Sequence, residues 1–152
     1  MGLKDRILND FKEAFKNKDE SRKSVLSMLK SEIKNREIEM KLKDKDLPDE
    51  ETVSLLIRMV KQRKESAKSY EEGGRDDLAE KEKAEINILE EYLPEQMSDE
   101  EIKKELENII NKQNISGKGE VGKLMGIAMG KLKGKAEGGK IKMIAEEMLS
   151  QD

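Results

Sequence analysis

Apolar residues recur three and four positions apart along almost the whole chain, which is the spacing of an amphipathic α-helix. The first stretch predicts a helix over residues 3–17 and contains Leu3, Ile7, Leu8, Phe11, Ala14 and Phe15. No stretch alternates apolar and polar residues as a half-buried strand would. The chain has only 2 prolines, and it is rich in Glu, Lys, Leu and Met, which favour helices. We therefore predict an all-α fold without a sheet.

Turns that contain glycine, proline or clustered polar residues separate seven predicted helices. They lie near residues 17–19, 44–48, 73–74, 94–98, 114–117 and 134–139. Leu93-Pro94 ends the fourth helix, because proline has no backbone N–H to donate. Ser98 and Glu101 then have the spacing of a capping box, which opens a fifth helix. We therefore predict an N-terminal four-helix domain over residues 1–94 and a C-terminal three-helix lobe over residues 95–152.

The residue types that are missing exclude several kinds of chemistry. Charged residues make up 43% of the chain, and it contains neither Cys nor His. Disulfides, thiolate zinc sites, cysteine nucleophiles and histidine general bases are therefore excluded. No apolar run is long enough for a signal peptide or a membrane span. We expect a monomeric, cytoplasmic protein that has no cofactor or metal site and that binds neither DNA nor a membrane.

The net charge of −3 is unevenly distributed along the chain. Residues 71–107 are strongly acidic, whereas residues 117–145 carry seven lysines against two glutamates, a local charge of +5. The lysines are Lys118, Lys123, Lys131, Lys133, Lys135, Lys140 and Lys142. Because the whole chain is acidic, any attraction to nucleic acid has to come from a local basic segment of this kind.

Five glycines in the same segment follow one another at intervals of four residues. They are Gly122, Gly126, Gly130, Gly134 and Gly138. On the sixth helix this spacing forms a stripe without side chains, which another backbone can approach closely at a cost in helix propensity. Spacing alone favours packing of the stripe within the three-helix lobe, and contact with a sugar–phosphate backbone beside the lysines is the alternative.

Two further patterns have a structural and a functional interpretation. Glu82 and Glu85 share a face of the fourth helix and could bind a metal or act as an acid–base pair. Since no histidine accompanies them, we favour a solvated face or ion pairs with Arg63 and Arg22. The basic cluster around Arg63, Lys61-Gln62-Arg63-Lys64, could contact phosphate, but ion pairs with the acidic fourth helix are favoured.

The methionines of the C-terminal lobe also have two interpretations. They include Met125, Met129, Met143 and Met148, and the methionines of the chain mostly fall on apolar stripes. Methionine is flexible and polarisable, so it fills irregular gaps in a core, and this use is favoured here. The alternative is that these side chains form an adaptable docking surface for another protein.

Five segments, in order along the chain, together resemble the YqeY family. They are KQRKES at 61–66, GRDDLAEKE at 74–82, ILEEYLPEQ at 88–96, VGKLMG at 121–126 and KGKA at 133–136. The resemblance implies an N-terminal four-helix part and a C-terminal three-helix part. The C-terminal part is similar to the tail of the B subunit of the amidotransferase that makes Gln-tRNA or Asn-tRNA, where the tail helps to hold tRNA.

The resemblance implies an accessory or recognition protein that contacts tRNA, or an aminoacyl-tRNA enzyme complex, through its C-terminal lobe. The candidate RNA-binding residues are Lys118, Lys123, Lys131, Lys133, Lys135, Lys140, Gly126 and Gly134. No catalytic residue is expected, because nothing corresponds to the phosphorylating and ammonia-producing centres of the amidotransferase. The alternative is a protein–protein interaction module that does not bind RNA. Carbon–nitrogen ligase activity with glutamine as amide donor is the least favoured function.

One turn departs from the family pattern. The family's usual turn resembles Gly-Lys-Ala-Asp-Gly-Lys, whereas residues 134–140 read Gly-Lys-Ala-Glu-Gly-Gly-Lys. Glu137 thus replaces an aspartate, and Gly139 is an additional residue. Because aspartate caps a helix better than glutamate does, we expect a looser turn and a shifted Lys140.

Overall fold

The computed structural model describes residues 2–150, and its regular structure is entirely helical within that range. The helices are α1 Leu3–Lys16, α2 Glu20–Glu39, α3 Asp49–Glu72, α4 Asp76–Glu90, α5 Asp99–Gln113, α6 Val121–Leu132 and α7 Gly138–Leu149, with a 3₁₀ turn at Lys118–Glu120 before α6. The predicted all-α fold is confirmed. The chain divides into two compact units, Met1–Leu93 and Pro94–Asp152, which we call the N-terminal and the C-terminal unit.

The N-terminal unit packs α1 against α2 and α3 against α4 around one aliphatic core. Each helix buries one stripe and leaves its other faces charged, as the 3.6-residue period requires. Among the side chains that are fully inaccessible to solvent are Ile7, Leu26, Leu29, Leu56 and Leu89. Burying a side chain of this size contributes roughly 1.5–3 kcal/mol, so these few residues supply much of the stability of the unit.

A buried carboxylate holds the connection between α2 and α3. Glu37 is only 5% exposed, and its Oε2 accepts hydrogen bonds from the backbone N–H of Leu47 and from Lys4 Nζ, both at 2.8 Å. Lys4 Nζ also donates to Asp46 Oδ1 at 3.0 Å. One carboxylate therefore joins α1, the end of α2 and the loop that leads into α3.

Two predictions for ion pairs in this unit have different outcomes. Arg63 Nε lies 3.1 Å from Glu85 Oε2, which confirms the pair between α3 and α4. The predicted pairing of Arg22 with Glu82 or Glu85 is wrong. Arg22 instead binds both carboxylate oxygens of Glu91, at 2.7 and 3.0 Å, and this contact holds the pKa of the Glu91 carboxyl below its usual value.

The C-terminal unit consists of α5, α6 and α7 around a second aliphatic core. The predicted capping box is present, because Ser98 Oγ accepts from the N–H of Glu101 and the Glu101 carboxylate accepts from the N–H of Ser98. The segment before α5 is tied to the α6–α7 turn. Met97 N–H donates to the Lys135 carbonyl at 2.9 Å, and Gln96 Nε2 donates to the Gly134 carbonyl at 3.0 Å. The turn that carries the candidate residues is therefore held at its backbone.

The Glu37→Ala variant should lower the free energy of unfolding by about 2–3 kcal/mol, since it leaves the buried N–H of Leu47 without an acceptor and removes one of the two carboxylates that bind Lys4. The control is Glu39→Ala, which removes a side chain that is 66% exposed and paired only with Arg36. This control should change stability by less than about 0.5 kcal/mol. Urea unfolding followed by circular dichroism measures both, and equal losses would contradict the role assigned to Glu37.

Candidate nucleic-acid interface

The glycine face of α6 is open to solvent. The helix turns Leu124, Ala128 and Leu132 into the core of the C-terminal unit. Gly122, Gly126 and Gly130 fall on the opposite side of the helix, because they precede those residues by two positions, which is about 200° of helical rotation. A Cβ atom built on any of the three would meet nothing within 4 Å. We call these three residues the glycine face.

The favoured interpretation of the glycine spacing, packing within the lobe, is therefore wrong for α6. In the described part of the unit, no helix approaches the glycine face closely enough to require glycine there. The last two glycines leave the stripe. Gly134 lies in the α6–α7 turn with a φ of +83°, a conformation that side chains rarely adopt, and Gly138 begins α7, where its Cβ would lie 3.4 Å from Met129 Cε.

Lysines flank one side of the glycine face. Lys123 and Lys131 are eight positions apart on α6, which is about 80° of helical rotation, and both are exposed. Neither they nor Lys118 and Lys135 form a salt bridge within residues 2–150. Lys133, at the end of α6, is also exposed. The structure thus places Lys123 about 60° of helical rotation from Gly126 and Lys131 about 80° further round, toward α5. Lys118 lies in the 3₁₀ turn before the helix.

Lys140 is paired with a carboxylate of the same unit. Its Nζ lies 2.7 Å from Asp99 Oδ1, at the start of α5. The substituted glutamate in the preceding turn still caps α7, since Glu137 Oε1 accepts from the N–H of Gly139 at 2.8 Å. The additional glycine therefore supplies the capped N–H, and the looser turn expected here is not found. To contact RNA, Lys140 would have to exchange this carboxylate for a phosphate.

A depression between α5 and α6 extends the basic flank, and sequence reasoning missed it. Its volume is about 480 Å³, and it is lined by Glu105, Asn108, Asn111, Lys112 and Lys131. Lys112 and both asparagines are exposed. The amides can donate to phosphate or sugar oxygens beside the two amines. The spacing of Asn108, Asn111 and Lys112 on one face of α5 was the available signal, but their position beside Lys131 depends on how the helices pack.

Met129 lies on the other flank of the glycine face, about 60° of helical rotation from Gly126. Met129 is 36% exposed and Met143 is 58% exposed, whereas Met125 and Met148 pack partly against the core. Met125 and Met148 thus fit the interpretation as core residues, whereas Met129 and Met143 remain available for a docking surface.

The acidic residues of α4 give no comparable site. Glu85 is occupied by Arg63, and residues 2–150 contain no cluster of three or more Asp or Glu side chains placed to hold a metal ion. None of the described helices is both long and apolar enough to cross a membrane.

Comparison with known proteins identifies relatives of the chain. Residues 4–149 match the family described as Yqey-like protein. The similar curated proteins include "Altered inheritance of mitochondria protein 41, mitochondrial" from Candida glabrata, 44% identical over 90 residues that make up 59% of this chain and 48% of the relative. Its counterpart from Kluyveromyces lactis is 40% identical over 86 residues, 57% of this chain and 45% of the relative. The aligned region is thus about half the length of these relatives.

The expectation of a cytoplasmic protein is contradicted by this comparison, because the names of these relatives place them in mitochondria. The prediction rested on the absence of an apolar signal segment and of cysteine. Neither observation distinguishes the cytoplasm from the interior of an organelle, so together they could not establish a cytoplasmic location.

Replacement of a glycine on the open face should stabilise the protein. Gly126→Ala should raise the free energy of unfolding by about 0.5–1 kcal/mol, since alanine favours the helix and its Cβ meets no neighbour. The matched control, Gly134→Ala, should lower it by about 1 kcal/mol or more, because its φ of +83° strains any side chain. Thermal and urea unfolding test both variants. Destabilisation by Gly126→Ala would show that the face is packed in solution.

Proposed function

The chain belongs to the Yqey-like protein family, and from that membership we propose that it is a non-catalytic accessory protein that contacts the backbone of tRNA, alone or in an aminoacyl-tRNA enzyme complex. The contact surface is the glycine face of α6 with its lysine flank, in the C-terminal unit. The resemblance of this unit to the tRNA-holding tail of the amidotransferase B subunit supports the proposal. The observation that carries it is the open glycine face itself, which no described part of the unit covers.

The chemistry of the surface fits a polyanionic backbone. Phosphate oxygens would accept from Lys123 and Lys131, and the amides of Asn108 and Asn111 would donate to phosphate or ribose oxygens. The missing side chains on the glycine face would let the sugar–phosphate chain approach the α6 backbone. Residues 94–152 contain no aromatic side chain, so bases have nothing to stack on and the contact would follow RNA shape rather than sequence.

The affinity should be modest, because the net charge of the chain is −3. Nonspecific electrostatic binding at physiological salt has dissociation constants of about 10⁻⁴–10⁻⁶ M. A contact in this range would need a partner enzyme, or a second contact, to hold tRNA firmly. This requirement is the reason for proposing an accessory role.

The Lys123→Gln/Lys131→Gln variant should bind unfractionated tRNA more weakly and with a smaller dependence on salt. Each lost phosphate contact should reduce the slope of log K against log salt concentration by about 0.7–0.9. The matched control is Lys12→Gln/Lys16→Gln, which removes the same charge from exposed positions of α1 in the N-terminal unit. Fluorescence anisotropy over a salt series measures the slopes.

A third variant separates shape from charge. Gly126→Leu keeps every lysine but places a side chain on the glycine face, so it should weaken tRNA binding without loss of fold stability. Equal binding by wild type and the lysine and glycine variants would contradict the proposal. In that case the exposed Met129 and Met143 favour the alternative, a protein-interaction module in which a protein partner covers the glycine and methionine surface.

The isolated chain should have no amidotransferase activity of its own. It lacks Cys and His, and Glu85, which with Glu82 could have formed an acid–base pair, is bound to Arg63. The measurement is conversion of Glu-tRNA to Gln-tRNA by pure protein with glutamine and ATP. Turnover that disappears in Glu82→Gln or Glu85→Gln would show that α4 contains an active site.

A further inference from the structure

A cavity between α1 and α2 lies within the N-terminal unit and has no role in the proposed function. Its volume is about 490 Å³, within the usual range for small-molecule sites. Leu8 and Phe11 of α1 and Ile33 of α2 give it an apolar floor, with Leu8 and Phe11 half-buried and Ile33 fully buried. Ligand sites commonly combine such a floor with a few polar groups at fixed positions.

The rim on the α2 side consists of hydrogen-bond donors. Ser27, Lys30, Ser31 and Lys34 line the cavity at a spacing that places them along one face of the helix. Lys30 Nζ lies 5.2 Å from the centroid of the Phe11 ring, so its amine is close to the apolar floor. Neither Lys30 nor Lys34 forms a salt bridge to a carboxylate within residues 2–150.

The carboxylate in the lining does not oppose an anion there. Glu37 is held by Lys4 at 2.8 Å and by the N–H of Leu47 at 2.8 Å, and its side chain is only 6% exposed. Its charge is therefore balanced inside the fold. Lys30 and Lys34 remain as uncompensated positive charges beside the apolar floor, in a chain whose net charge is −3.

We propose that this cavity binds a small amphipathic anion, a molecule with one carboxylate and an aliphatic body. The carboxylate lies between the amines of Lys30 and Lys34, where it accepts charge-assisted hydrogen bonds. The aliphatic body packs on Leu8 and Phe11 and is thereby removed from water. A nucleic-acid backbone does not fit this surface, because it offers no apolar body to the floor. The site is independent of the tRNA contact proposed for the C-terminal unit.

The test uses the full chain with ¹³C-labelled Leu and Ile methyl groups, and decanoate as the probe. Decanoate should shift the methyl signals of Leu8 and Ile33 in a saturable way at submillimolar concentration. Decanol, which has the same chain without the charge, should bind about tenfold more weakly. Lys30→Gln/Lys34→Gln should weaken decanoate binding about tenfold and leave decanol unchanged.

Two variants complete the test. Lys16→Gln/Lys18→Gln makes the same change in net charge at exposed positions outside the cavity, so decanoate should bind it as it binds the wild type. Leu8→Ser should weaken decanoate and decanol alike, because it removes part of the apolar floor; circular dichroism confirms that each variant is folded.

Three results would overturn the proposal: no saturable shift at millimolar decanoate, equal binding of decanoate and decanol, or equal weakening by the two lysine pairs. The lysines would then serve only to cover the apolar floor with their aliphatic stems. None of these results changes the expectation for tRNA binding, which is measured separately with variants of the C-terminal unit in the full chain.

Discussion

Narrow apolar stripes limit every other feature of this protein. Only 34% of its residues are hydrophobic, so each helix can bury one row of aliphatic side chains and little more. Native proteins are stable by only about 5–15 kcal/mol, and a buried polar group without a partner costs about 1–3 kcal/mol of that. The buried polar residues are accordingly paired: Glu37 with Lys4 and Leu47, Arg63 with Glu85, and Thr52 with the Pro48 carbonyl. Within residues 2–150, no buried side-chain nitrogen or oxygen lacks a hydrogen-bond partner.

The glycine face of α6 is costly for a unit with so small a core. Glycine in an exposed helix interior costs about 0.8–1.0 kcal/mol relative to alanine, and this helix has three on one side. No described contact of the unit offsets that cost, because an added Cβ would meet open space. Binding of a partner would offset this loss of helix stability if the partner's backbone has to lie against the helix. The unfavourable local sequence of α6 is thus consistent with selection for binding rather than for folding.

The helices and the capping box could be predicted because they depend on residues close in sequence. The capping box follows from the three-residue spacing of Ser98 and Glu101, and the spacing of the apolar residues indicates each helix. The orientation of the glycine face could not be predicted: spacing shows that the three glycines share a side of α6, but the packing of α5 and α7 decides whether that side is covered. The prediction of a partner for Arg22 was wrong for the same reason: its actual partner, Glu91, is 69 residues away in sequence and is brought close only by helix packing. The α5–α6 depression and the α1–α2 cavity likewise combine residues from different helices.

Electrostatics explains why the proposed tRNA contact requires a close fit. At physiological ionic strength the Debye length is about 8 Å, so acidic groups elsewhere on the surface act weakly on a phosphate seated beside Lys123 and Lys131. The same screening weakens these lysines unless the phosphate comes close to them. Side chains on α6 would hold a backbone several ångströms away, whereas the glycine face removes that separation. The local charge of +5 and the absent side chains thus depend on each other: charge without close approach is screened, and close approach without charge gives no preference for an anion.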